Sequence, residues 1–197
     1  MTGSPSDRTD RVPTTRLEAA ATASEPALLL RPWEPGDAAA LIGAYRDDAL
    51  RRWTRSVVED EAGAVRWIQE QRRGWETGRR FGFAVVESGA APSRLLGHAV
   101  LKVAAAPGAS LAEVGYWTAA PARGRGVAPR ALRALTDWAF AAFGGEGLAR
   151  LELLHQVDNP ASCRVAQKCG YELTGLLPAA PPAHPLDGHV HVREYRP

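Results

Sequence analysis

Only two cysteines, Cys163 and Cys169, stand in the 197 residues, too few for a disulfide framework. They fall within one expected helix, at a spacing that suits neither a disulfide nor a metal-ligand pair. Both read as small buried thiols in a reducing, cytoplasmic compartment. Excess charge is also scarce, with a formal net charge of +2. Basic residues alternate with acidic ones except at Arg51-Arg52, Arg79-Arg80 and one glycine-rich loop, which argues against a nucleic-acid partner. No apolar run reaches the roughly eighteen residues that span a membrane, and residues 1–26 hold no signal-peptide segment. That stretch is rich in Ser, Thr, Pro, Asp and Arg. It is expected to be a disordered leader ahead of one folded domain over 27–197.

Two phosphate-binding patterns are missing as well. No Lys follows the glycines around position 124, so a Walker A loop is excluded. Pro129 falls where a dinucleotide fingerprint needs its third glycine. What is present is a strand, Glu113-Val114-Gly115-Tyr116-Trp117-Thr118, then Pro121-Ala122-Arg123-Gly124-Arg125-Gly126-Val127-Ala128 opening a helix. The free N–H groups and dipole of a helix start attract an anion, and glycines let a phosphate approach the backbone. Arg123, Arg125, Arg130 and Arg133 add positive charge nearby.

Around this loop the pattern predicts a first strand at 28–30 stopped by Pro32 and a helix over 36–46 with Asp37 as N-cap. A loop carrying Trp53 and Thr54 follows, then a helix over 59–76. Strands are expected over 81–87, 95–103 and 111–118, the last after a Pro107-Gly108 turn. The helix after the glycine loop ends at Gly144-Gly145. A strand over 150–155 precedes a helix capped by Asp158 or Asn159 with Pro160 first. Strands over 171–176 and 190–195 flank a proline-rich connection at 178–185.

The segment Arg123-x-x-Gly126-x-Ala128 resembles the acyl-CoA pyrophosphate loop of the GNAT N-acetyltransferase superfamily. Asn159-Pro160-Ala161-Ser162 with Lys168-Cys169-Gly170-Tyr171 resembles a second motif of that family, at a fitting separation. The likeness covers roughly 27–195 and is nearest to the RimJ/RimL-type branch. It implies an α/β (α+β) GNAT fold: a mixed, mostly antiparallel sheet of six to seven strands flanked by about four helices and splayed between its fourth and fifth strands.

The resemblance also implies the reaction. An acetyl group passes from acetyl-CoA to a primary amine by direct attack in a ternary complex. The first expectation for the acceptor is a protein N-terminal α-amine. Alternatives are a small-molecule amine (amino sugar, polyamine or amino acid) and a non-catalytic acyl-CoA sensor. Cofactor contacts fall to Tyr116, Trp117, Thr118, Arg123, Gly124, Arg125, Gly126, Val127, Ala128 and Asn159. Glu113 is the candidate base, with a plain strand Glu facing Lys or Arg as the alternative. Many family members place an acidic Tyr seven residues after the motif Asn, where this chain has Ala166. Ser162, three residues after it, is the donor the RimJ/RimL-type branch would use; the alternative is a helix Ser bonded to a carbonyl. Trp53 is a candidate for the acceptor pocket. His189 and His191 alternate on one strand as metal ligands do, but no third ligand is evident in the sequence, so no metal is expected. No His is placed by sequence to activate Cys163. Neither a membrane nor a nucleic-acid partner is expected, and the chain is a monomer or homodimer.

Overall fold

The computed structural model describes residues 15–196 apart from 55, 57, 92, 105–109 and 183. Eight strands form one sheet in the order β1-β2-β3-β4-β5-β6-β8-β7. They run β1 (Leu17–Ala19), β2 (Leu28–Pro32), β3 (Arg80–Glu87), β4 (Leu95–Val103), β5 (Leu111–Thr118), β6 (Arg150–Gln156), β7 (Glu172–Leu177) and β8 (Gly188–Glu194). Every neighbouring pair is antiparallel except β5 with β6. A parallel pair needs a crossover, here helix α4 (Val127–Phe143). The other helices are α1 (Ala38–Tyr45), α2 (Asp48–Trp53), α3 (Glu61–Glu76) and α5 (Pro160–Lys168).

Alternation along the strands gives the sheet two apolar faces, and each buries a separate cluster. On one face Leu30, Phe83, Leu101, Val114, Leu151 and Leu153 pack against Leu132, Leu135 and Ala139 of α4 and Ala166 of α5. On the other, Ala84, Val86 and Trp117 meet Leu41 and Tyr45 of α1, Leu50 of α2 and Trp67 and Ile68 of α3. Full burial of such a side chain contributes about 1.5–3 kcal/mol.

Several expectations shift. The leader expected over 1–26 carries β1, paired with β2 from Leu17↔Leu30 to Ala19↔Leu28. The Arg130 side chain holds this segment by donating to the carbonyls of Ala20 at 2.7 Å and Pro26 at 2.6 Å. Residues 1–14 and the Pro107-Gly108 turn lie outside the described residues. Trp53 ends helix α2 rather than sitting in a loop. Asp47 caps that helix by accepting from the amides of Ala49 and Leu50. Asp37 does not cap α1 through its side chain. Its carboxylate takes a bidentate bond from the Arg31 guanidinium at 2.7 and 2.8 Å, and both groups are buried. Asn159, by contrast, caps α5 as expected, accepting from the Ser162 amide at 3.1 Å.

Candidate active site

The β5–β6 ladder is short. Its pairs run from Leu111↔Arg150 to Val114↔Leu153. Beyond Val114, strand β5 keeps its pairing to β4 through Thr118↔Gly97. β6 meanwhile stays with β8 as far as Gln156↔Gly188. The sheet therefore splays between these strands, the fourth and fifth of the sequence reading. Among the described residues, the β6-facing edge of 115–118, which includes Tyr116, Trp117 and Thr118, has no strand partner.

The glycine loop sits directly beyond β5. A short 3-10 turn (Ala120–Ala122) leads into it. Gly124 and Gly126 have φ of 76° and 69°, a left-handed backbone that disfavours any residue with a side chain. Gly126 is the N-cap of α4 and supplies no side-chain cap bond. The amides of Val127 and Ala128 thus begin the helix with no capping group, and Pro129 has no N–H to satisfy.

Each of the four arginines expected to add charge near the loop has a partner of its own. Arg123 ion-pairs with Asp47. Arg125 binds one Glu25 oxygen through Nε at 2.8 Å and Nη2 at 2.6 Å, which lowers the Glu25 pKa. Arg130 holds the N-terminal segment, and Arg133 donates to the Lys168 carbonyl at 2.6 Å. Two of the four charges are matched by carboxylates. Anion attraction at this loop rests chiefly on backbone amides and the helix dipole.

Across the gap, on the α4–α5 face, stands Ser162 at the start of α5. It is buried, and its Oγ lies 2.9 Å from the Tyr116 hydroxyl of β5. Burial pushes the Tyr116 pKa up to about 12, only partly offset by the Ser162 bond. The phenol therefore keeps its proton at neutral pH and can donate it. Sequence reasoning gave Tyr116 only a backbone role; the signal for its side chain was strand alternation, which puts 112, 114 and 116 on one face. Ala166 is fully buried in the core. Asn159 is occupied as the α5 cap.

Glu113 is an odd number of residues from Tyr116 and so points to the opposite face. It ion-pairs with Lys102, its cross-strand partner on β4. Arg80 feels the Glu113 charge and donates to Gln71 of α3 at 3.0 Å. Trp117 shares this face as core, its ring 6.2 Å from Trp33 and 6.0 Å from Tyr45. Trp53 is exposed, with the Arg52 guanidinium 4.8 Å from its ring centre. Arg52 also reaches Asp158 at 2.6 Å, which ties α2 to the entrance of α5.

One grouping was not foreseen. Cys163 of α5 faces His155 of β6, with Sγ to Nε2 at 3.5 Å, and His189 of β8, with Sγ to Nδ1 at 3.2 Å. His191 lies beside them, its ring stacked on His155. The sequence alone placed no His near Cys163 and found no third ligand for His189 and His191. β6–β8 pairing supplies what one-dimensional spacing hides: His155 is opposite His189, and Leu153 opposite His191. Burial lowers the pKa of His155 and of His191.

A family model described as an acetyltransferase (GNAT) domain matches residues 27–172. No curated protein matches the chain by sequence. Among solved structures, a protein assigned as a ribosomal-protein-serine acetyltransferase from Vibrio cholerae is similar at 25% identity. That match covers 85% of this chain and 94% of the other, with a TM-score of 0.70. Mycobacterium smegmatis RimJ, solved in complex with CoA-disulfide, shares 22% identity over 91% of this chain and 86% of its own, with a TM-score of 0.74. The microcin C7 self-immunity acetyltransferase MccE, in complex with acetyl-CoA and AMP, shares 18% over 85% and 92%, with a TM-score of 0.72.

Proposed function

The chain belongs to the GNAT acetyltransferase family, and from that premise we propose that it acetylates protein N-terminal α-amines with acetyl-CoA, as a RimJ/RimL-type enzyme. The observation that carries the mechanism is the Tyr116–Ser162 hydroxyl pair at the end of the β5–β6 ladder. It lies on one face of the sheet, with Glu113 on the other. Acetyl transfer needs its base on the side of the attacking amine and its proton donor on the side of the leaving sulfur. The splay begins just past Glu113, after the Val114↔Leu153 pair, and in this reading both groups act at its opening.

In this reading the CoA diphosphate rests on the amides of residues 124–128, and the pantetheine arm runs along the free edge of 115–118. The amine approaches from the α1–α3 face, past Trp53. Its nitrogen forms a bond to the thioester carbon, and an amide on the free β5 edge stabilises the oxyanion. Glu113, directly or through a water, takes the amine proton. The C–S bond then breaks, and the thiolate takes a proton from Ser162, which takes one from Tyr116; as products leave, solvent returns a proton to Tyr116 and Glu113 releases its own to solvent. No covalent enzyme intermediate is needed; Cys163 faces His155 and His189.

Thiol release from acetyl-CoA with Ala- and Ser-starting peptides, set against amino sugars and polyamines, tests the acceptor. Faster release with peptides is expected; preference for a small amine would overturn the peptide assignment, and no release with any amine would favour an acyl-CoA sensor. Glu113→Gln tests the base. It is expected to reduce kcat/KM by about 10²–10³-fold, most severely at low pH where the amine is charged. An unchanged pH profile would remove Glu113 from the reaction.

A further inference from the structure

We propose that His155, Cys163, His189 and His191 form a binding site for one transition-metal ion of the zinc class, held by a thiolate and three imidazoles between β6, β8 and α5. One ligand atom from each of the four lies within 4.8 Å of the others. In a tetrahedral zinc site with Zn–S near 2.3 Å and Zn–N near 2.0–2.1 Å, sulfur and nitrogen ligands stand roughly 3.5 Å apart. The Cys163 distances to His155 and His189, 3.5 and 3.2 Å, match that spacing.

Two further observations point to a ligand rather than a packed cluster. His191 is 0% exposed, yet neither ring nitrogen makes a hydrogen bond of ordinary geometry among the described residues, although the Tyr171 backbone lies close enough to favour its charged form. A fully buried imidazole in that state has given up its hydration without full replacement. An ion in the cluster would satisfy it. His155 is already arranged as a ligand: its Nδ1 lies 2.8 Å from the Gln156 carbonyl, to which it donates. That bond fixes the tautomer and turns the lone pair of Nε2 toward Cys163. Outer-shell bonds of this kind orient metal-bound imidazoles.

The donor set selects the metal. A thiolate with three imidazoles and no carboxylate suits a borderline-soft ion and not magnesium or calcium. Binding replaces the Sγ proton, so one proton leaves to solvent for each ion taken up. The site lies one residue along α5 from Ser162 and belongs to neither the cofactor loop nor the amine face.

The full chain, prepared without a histidine tag and stripped with chelator, would be titrated with Zn2+ and with Co2+ alone. The expected result is about one ion per chain retained through gel filtration. The Co2+ form should show a thiolate charge-transfer band in the near ultraviolet and intense tetrahedral bands in the visible. Cys163→Ala should abolish the charge-transfer band, and His189→Gln should weaken binding about 100-fold or more, since loss of an outer-shell partner alone costs 10–100-fold. Circular dichroism reports that each variant is folded. Wild-type protein that retains no metal, or binds Co2+ without the thiolate band, overturns the proposal. So does a folded Cys163→Ala that binds as tightly as the wild type. These readouts need no acetyl transfer, so they stand or fall apart from the enzymatic reading.

Discussion

Ser162 and Tyr116 share one hydrogen bond, and that bond decides how their loss should look. Removing the Ser162 hydroxyl leaves Tyr116 buried without its partner, while Tyr116→Phe leaves Ser162 able to donate alone. Ser162→Ala is expected to lower kcat by about 10²-fold and Tyr116→Phe by about tenfold, with the KM for acetyl-CoA little changed in both. Steady-state kinetics over both substrates checks this. A KM effect without a kcat effect would make the pair a cofactor contact only. Ser162 could be singled out in the sequence because it follows Asn159 by three. Its partner could not, because nothing in the order of residues says that position 116 of a strand meets position 162 of a helix.

His98 carries the pH dependence that can be assigned to a single buried group. It is buried on β4, and its Nδ1 lies 3.0 Å from both the Trp33 indole nitrogen and the Phe83 carbonyl. Burial, with Arg80 adding to it, lowers its pKa from 6.5 to about 3. The unfolded chain therefore binds a proton between those values that the folded chain refuses. Stability from this group is complete above pH 6.5 and falls as pH drops toward 3, by about 1.4 kcal/mol per pH unit. Urea unfolding between pH 7 and 4.5 should show a flatter slope in His98→Gln than in the wild type. Equal slopes would assign the acid sensitivity to other groups.

At the scale of elements, helix α4 both closes the core and begins at the glycine loop. Its buried stripe of Leu132, Leu135 and Ala139 was legible from helical periodicity, and so was its start from Gly126 and Pro129. Gly126→Val places a β-branched side chain at φ 69°. It should reduce CoA affinity on the order of 100-fold, about 2–3 kcal/mol, by calorimetry; retained affinity would move the phosphates away from this loop. Shorter elements escaped the sequence. Helix α2 spans six residues, too few for a periodic stripe, and depends on the Asp47 cap. Strand β1 spans three and is held from a distance by Arg130. Local propensity carries little information about either.

On the scale of the whole molecule, that tether extends the fold backwards. Deleting residues 1–26 removes β1 and strips the Arg130 guanidinium of its carbonyl partners at Ala20 and Pro26. The truncated chain is expected to lose about 2–4 kcal/mol, a fall of roughly 2–4 °C in Tm for each kcal/mol at this size. Thermal unfolding checks this, and an unchanged Tm would make the segment the dispensable leader that its composition suggests. The family and the splay were legible through the resemblance that two motifs and their separation carry, but the placing of β8 between β6 and β7 was not. The pairing of Cys163 with three histidines was not, since it exists only once β8 folds back beside β6.

In the proposed reaction, donor and acceptor enter from opposite sides of a single wall one strand thick. Neither has to vacate a path for the other, so a crowded, slow-leaving peptide on one side leaves the exchange of spent coenzyme on the other side unhindered.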